Sequence, residues 1–187
     1  MDRVIKADLF RYGGLSNTKG FLRGLFIPGF RFTYLFRKAS KCKKYSIPWF
    51  FYVLLLRRYS YKYGFQIAWS ANIGEGLYIG HRGTLIIDRR ATIGKNFNIT
   101  HGVTVGQASR GKYKGHPTIG DNVWVGTGAV IIGKITIGSN VLIAPNSFVN
   151  RDVPSNSFVI GNPSKIISNE KATEGYINFT LEDKIIP

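Results

Sequence analysis

The stretch IGDNVWVGTGAVIIGKITIGSNVLIAPNSFV, residues 119–149, returns an aliphatic side chain at every sixth position: Ile119, Val125, Ile131, Ile137, Ile143 and Val149. A glycine or another small residue follows most of them, as Gly120, Gly126, Gly138 and Ala144 do. Strands of a β-sandwich alternate with period two and run longer between turns, so this beat excludes one. One inward aliphatic residue per short strand, with a small residue where the chain turns, is the mark of a parallel β-helix. Three such units close one triangular coil. The aliphatic residues then stack from coil to coil, and glycine lets the chain round a corner without a Cβ clash.

The same beat extends upstream. It runs through Ile67, Ile73 and Ile79, slips by two residues, and continues through Ile87, Ile93, Ile99 and Val105. Between Val105 and Ile119 the count stops for QASRGKYKGHP, residues 107–117, a basic, glycine-containing excursion that ends on His116-Pro117. We therefore expect three regions: a helical N-terminal region over 1–65, the β-helix over 66–168 with an excursion loop at 107–117, and a tail over 169–187.

Composition bounds the reading. The 187 residues, 44% hydrophobic and 14% aromatic, carry enough apolar surface for one well-cored domain and an appendage. A single cysteine, Cys42, excludes a disulfide framework and a multi-cysteine metal site. The formal charge is +16, and residues 1–65 hold 14 Lys/Arg against 2 Asp/Glu. Such asymmetry points to an anionic partner. With no RNA-binding signature present, nucleic acid is not expected.

From Phe21 to Tyr63 the chain, aromatic, basic and broken by Pro28 and Pro48, reads as two or three short helices. One starts near Ser46-Ile47-Pro48, where serine can cap and proline suits the first turn. These helices cap the β-helix or form an interfacial surface on a membrane, with Trp49, Phe50, Phe51 and Tyr52 beside Arg57, Arg58 and Lys62. The start lacks the pattern of a secretory signal. The longest apolar run, IPWFFYVLLL, is half of what a bilayer span needs. A cytoplasmic protein, peripheral to a membrane at most, is expected.

All three histidines lie in the repeats. His81 and His101 each hold the third place of their unit, so they stack on one edge in successive coils, about 4.8 Å apart by strand spacing. His116, at the foot of the excursion, is expected to fold back toward them, with the excursion covering the site and excluding water. A polar turn residue is the ordinary reading of one such histidine, but three in one region point to general-base chemistry on a hydroxyl or amine, because imidazole titrates near neutral pH.

The segments GLYIGHRGTLII, NFNITHGVTVG, GKYKGHPTIGDNVWVGTGAVIIGKITIG and GNPSKII resemble the hexapeptide-repeat acetyltransferases, in particular the serine acetyltransferase-like O-acetyltransferases of bacterial surface-polysaccharide pathways. That resemblance covers about residues 66–168. It implies a left-handed helix, a homotrimer with sites between adjacent subunits, and acetyl-CoA as acyl donor. It also implies His81 as catalytic base, His116 as a second active-site histidine, and His101 as orienter, sugar contact or the base itself. The donor is expected along Gly106, Thr127, Gly128 and Ala144 and at Gly161, Asn162, Pro163 and Lys165; Arg82 and Tyr113 are expected at the acceptor, and no metal is expected. Where serine enzymes carry aspartates, this chain has Gly80 and Gln66, so the expected acceptor is a sugar hydroxyl of a surface polysaccharide or its precursor. Serine or another small molecule is the alternative. A non-catalytic trimeric scaffold and a zinc-dependent hydratase on the same fold are the readings from other classes.

Overall fold

The computed structural model describes residues 1–181; the last six residues of the expected tail lie outside the described residues. From Phe65 onward the chain winds as a parallel β-helix with three faces. The first face pairs β1 (Phe65–Ile67), β4 (Leu85–Ile87), β7 (Thr104–Gly106), β10 (Val130–Ile132) and β13 (Phe148–Val149). The second pairs β2 (Asn72–Ile73), β5 (Thr92–Ile93), β8 (Thr118–Ile119) and β11 (Thr136–Ile137). The third pairs β3 (Tyr78–Ile79), β6 (Asn98–Ile99), β9 (Val123–Val125), β12 (Val141–Ile143) and β14 (Ser157–Ile160), and closes with an antiparallel strand, β15 (Lys165–Ser168).

The hexad residues do what their spacing requires. Ile67, Ile87, Val105, Ile131 and Val149 form one buried column, and Ile79, Ile99, Val125, Ile143 and Val159 another. A further inward layer two residues upstream, Leu77, Phe97, Val123 and Val141, fills the third face; because side chains alternate along a strand, both positions of each short unit point inward. At the corner between second and third faces the left-handed turn residue is Gly76 in the first coil and asparagine in those below: Asn96, Asn122, Asn140 and Asn156 all lie at φ 54° to 57°. Asparagine tolerates that region, and here the side chains also ladder, Asn96 Nδ2 donating to Asn122 Oδ1 at 2.9 Å and Asn140 Nδ2 to Asn156 Oδ1 at 2.8 Å.

Four helices cover the open upper end: α1 (Arg3–Phe10), α2 (Thr18–Gly24), α3 (Pro28–Lys41) and α4 (Ile47–Tyr63). Ser46 caps α4 as its sequence predicts, and Gly64, at φ 78°, ends it in the left-handed conformation. The sequence reading missed α1, which carries Asp8, with Tyr12 two residues past its end; both tie this cap to the helix. The first coil has no coil above it, so its backbone groups need other partners. Asp8 accepts from the N–H of Gly76 and Leu77, and Arg37 donates to the carbonyls of Ile73 and Gly74 while pairing with Asp8 at 2.8 Å. The Tyr12 hydroxyl accepts from Ile79 N at 3.1 Å and donates to Ile79 O at 3.4 Å. Burial pushes the Asp8 carboxyl up against the pull of Arg37 and raises the Tyr12 hydroxyl as well. Gly29 makes the approach of α3 possible, since a Cβ there would stand 2.2 Å from the Ile79 carbonyl oxygen. Strand β3 is thus pinned one residue before Gly80 and His81.

The tail, whose role the sequence leaves open, returns along the third face. Thr173 Oγ1 donates to Asn140 Oδ1 at 2.7 Å, and Tyr176 packs on Trp124 with ring centroids 4.8 Å apart. Farther up, Asn98 donates to the Tyr176 carbonyl, and Phe179 meets Phe10 of α1 edge-on.

Candidate active site

His81 and His101 follow β3 and β6 at the corner between the third and first faces. Their rings meet edge-to-face, centroids 5.7 Å apart and planes at 88°, and both side chains are exposed. The two-residue slip in the repeat falls here. From Ile79 to Ile86 the chain takes seven steps, whereas the paired segment below, Ile99 to Thr104, takes five. The turn after His81 is therefore wider than the one after His101, and Gly83, at φ 135°, lies over the lower turn. A Cβ at Gly83 would stand 3.1 Å from His101 Cβ, so glycine permits this approach. The turns are laced by Gly102 N–H donating to Thr84 O at 2.6 Å and Gly128 N–H to His101 O at 3.1 Å.

Third-face register carries this corner down the molecule. Trp124 pairs with Leu142 and Leu142 with Phe158, so Thr127, Pro145 and Gly161 lie below His101 in one line. Thr127 Oγ1 donates to Thr100 Oγ1 at 3.4 Å, and Thr100 Oγ1 to the Val125 carbonyl at 2.9 Å. Ala144 is buried beside Pro145, and Gly161, whose N–H donates to Ser147 Oγ at 3.1 Å, leads into the cis Asn162-Pro163 bond. One chain therefore gathers His81, Arg82, His101, Thr127, Gly128, Ala144, Asn162 and Pro163 along a single edge.

The other expected site residues lie elsewhere. Gly106, Tyr113 and His116 belong to the next corner, between the first and second faces; Lys165 opens β15 below the last coil. The excursion does not fold back over His81 within one chain. Ala108 and Gly115 pair through two 3.0 Å backbone hydrogen bonds, which close the loop at its base. The Tyr113 carbonyl accepts from Lys134 N at 2.8 Å, holding the loop along its own corner against the next coil. Gly133, at φ 99°, makes room, since a Cβ there would stand 2.8 Å from that carbonyl oxygen. The convergence of three histidines expected from the sequence is thus replaced by two sites' worth of chemistry on adjacent edges.

That second edge contains a group the sequence reading missed. His116 Nδ1 is buried, has no hydrogen-bond partner among the described residues and lies 3.6 Å from Asp88 Oδ1. Asp88 is fixed by Arg90, whose guanidinium also reaches Gln107 Oε1 at 2.8 Å at the foot of the excursion. Hydrogen bonds from Arg90 hold the Asp88 carboxyl below the usual carboxylate range, with burial opposing. In the sequence IIDRR, Asp88 reads as an ordinary turn residue, and nothing in the local pattern links it to His116.

Residues 116–151 match the family model for bacterial transferase hexapeptide (six repeats). Over 112 residues the chain is 42% identical to the serine acetyltransferase of Staphylococcus aureus (strain Mu50), covering 60% of this chain and 53% of that protein. The chain spans about half the length of the curated relatives it matches. Among solved structures, the serine acetyltransferase of Brucella abortus strain S19 superposes with a TM-score of 0.73 at 31% identity, covering 89% of this chain and 68% of that one; it has also been solved with coenzyme A. The Neisseria gonorrhoeae serine acetyltransferase in complex with serine gives a TM-score of 0.71 at 32% identity, with 89% and 68% covered. These findings overturn the polysaccharide acceptor expected from the sequence. That expectation rested on carboxylates absent at Gly80 and Gln66. It did not count Asp88, which the fold places against the second histidine. The chain belongs to the hexapeptide-repeat acetyltransferase family, in its serine acetyltransferase-like branch.

Proposed function

We propose that this protein is an acetyl-CoA-dependent O-acetyltransferase whose acceptor is the hydroxyl of serine or a closely related small amino acid. The observation that carries the reading is the exposed His81–His101 pair at the head of an edge that continues through Thr127, Ala144 and Asn162-Pro163. In this reading an imidazole of the pair takes the hydroxyl proton while the acceptor oxygen attacks the thioester carbonyl. The new C–O bond forms, the C–S bond breaks, and the leaving thiolate takes the proton back from the imidazolium. The remainder of the edge holds the pantetheine arm of the donor. Relatives named serine acetyltransferase, one of them solved with serine and one with coenzyme A, support both the acceptor and the donor.

A homotrimer is part of the proposal. Its support is that a single chain holds the two halves of the site on different corners, so a neighbouring subunit would bring its own Asp88–His116 edge to face the His81–His101 edge. Acetyl-CoA as donor also fits a cytoplasmic setting. The test is thiol release from acetyl-CoA with L-serine, L-threonine, glycine and a saccharide panel as acceptors. Serine-dependent release, with none from glycine, is expected. Transfer to saccharides with none to serine would overturn the assignment.

A further inference from the structure

Helix α4 is apolar on two sides. Trp49, Leu56 and Tyr63 face the cap and the first coil, as a packed helix requires. Ile47, Phe50, Phe51, Leu54 and Tyr61 recur at three- and four-residue spacing on the opposite side, exposed by 57% to 87%. Beside α4 runs a groove lined by Leu22, Leu25, Phe26, Leu55 and Tyr59, with Phe26 81% exposed. A contiguous apolar surface of this kind marks an interaction site.

Charge decides what covers it. Lys43 and Lys44 flank the start of α4, and Arg57, Arg58 and Lys62 its last turns, all exposed. Between Asp8 and Glu75 the sequence holds 12 Lys/Arg and no acidic residue. Two copies of this face laid together would oppose lysines and arginines with no carboxylate between them, an arrangement that like-charge repulsion disfavours. A lipid surface bearing phosphate groups supplies both an apolar layer and the missing negative charge. The aromatic residues fit the boundary between the two, and Arg57 already rests against the Tyr61 ring, 5.8 Å from its centroid. Among the described residues no helix is long and apolar enough to cross a membrane, so contact is confined to the surface.

We propose that α4 docks this protein on an anionic membrane surface, Phe50, Phe51 and Leu54 entering the acyl boundary while the flanking lysines and arginines engage lipid phosphates. The inference does not depend on the acyl acceptor and is tested without catalysis. The full chain is sedimented with vesicles of phosphatidylcholine alone and of phosphatidylcholine mixed with phosphatidylglycerol, at about 0.1 M and about 0.5 M salt. Binding at least about tenfold tighter to the mixed vesicles, weakened by salt, is expected. The double variant Phe50→Ser/Leu54→Ser should lose that binding while keeping its melting temperature, and Ile167→Ser, on exposed β15, should bind as the parent does. Equal affinity for both vesicle types, or full binding by the double variant, would overturn the proposal. So would a smaller lipid-free assembly for the double variant, which would identify the face as a contact between chains.

Discussion

His116 Nδ1 lies buried 3.6 Å from Asp88 Oδ1, a carboxylate that Arg90 holds in place and below its usual range of protonation. With no other partner for that nitrogen among the described residues, the carboxylate favours a proton on Nδ1 and leaves the opposite ring nitrogen for substrate. Asp88→Asn should therefore lower turnover by about tenfold with little change in assembly, less than the loss expected for removing an acid–base group itself. Steady-state kinetics beside sedimentation would check it, and an unchanged kcat would remove Asp88 from any positioning role.

The same carboxylate gives a pH prediction. Its folded pKa is depressed, so its contribution to stability is complete above the unfolded value of about 4 and is lost as pH falls through the lower folded value. Melting curves between neutral pH and pH ~3 should fall more steeply for the parent than for Asp88→Asn, which lacks this titration. Parallel curves would show that the Arg90 contact does not couple to folding.

At the other edge, His81→Ala or His101→Ala should cost at least about 100-fold in turnover, the loss expected for a general base, while the fold persists. The wider turn after His81 gives its ring the freer approach to an acceptor, so His81→Ala is expected to be the more severe. A more severe His101→Ala would move the base to the lower coil.

Asp8 and Arg37 bond each other twice and join the helical cap to the first coil through four further hydrogen bonds. Asp8→Ala should destabilise the protein by about 3–5 kcal/mol, because it leaves a buried guanidinium without its counter-charge and two backbone N–H groups without partners. Replacing both, Asp8→Leu with Arg37→Met, should cost less than the single change. Denaturant unfolding would decide; equal losses would mean the pair is not coupled.

Tyr12 reaches the strand that carries His81. Tyr12→Phe leaves the Ile79 N–H without its partner and should cost about 1–3 kcal/mol, with a drop in turnover that exceeds any change in KM for the acceptor. A stability loss with wild-type kinetics would confine Tyr12 to the cap.

What the sequence determined is what repeats. The hexad fixed the inward columns, the stacking of His81 over His101, and the place of the excursion, because in a coil of three short strands each residue's neighbours lie at a constant sequence distance. Ser46 and Pro48 likewise announced the start of α4 through local capping chemistry. What only the tertiary structure decided lies across the period. Ala108–Gly115 pairing and the Lys134–Tyr113 bond keep His116 on its own corner rather than beside His81. Asp88 meets His116 across the excursion, Tyr12 just past α1 and Arg37 of α3 satisfy the open coil, and Tyr176 returns to Asn98 along the third face. The contacts of Asp88, Tyr12, Arg37 and Tyr176 join residues between 28 and 78 positions apart that share no repeat, so they depend on how the cap, the loop and the tail settle against the finished helix, and no local pattern encodes that.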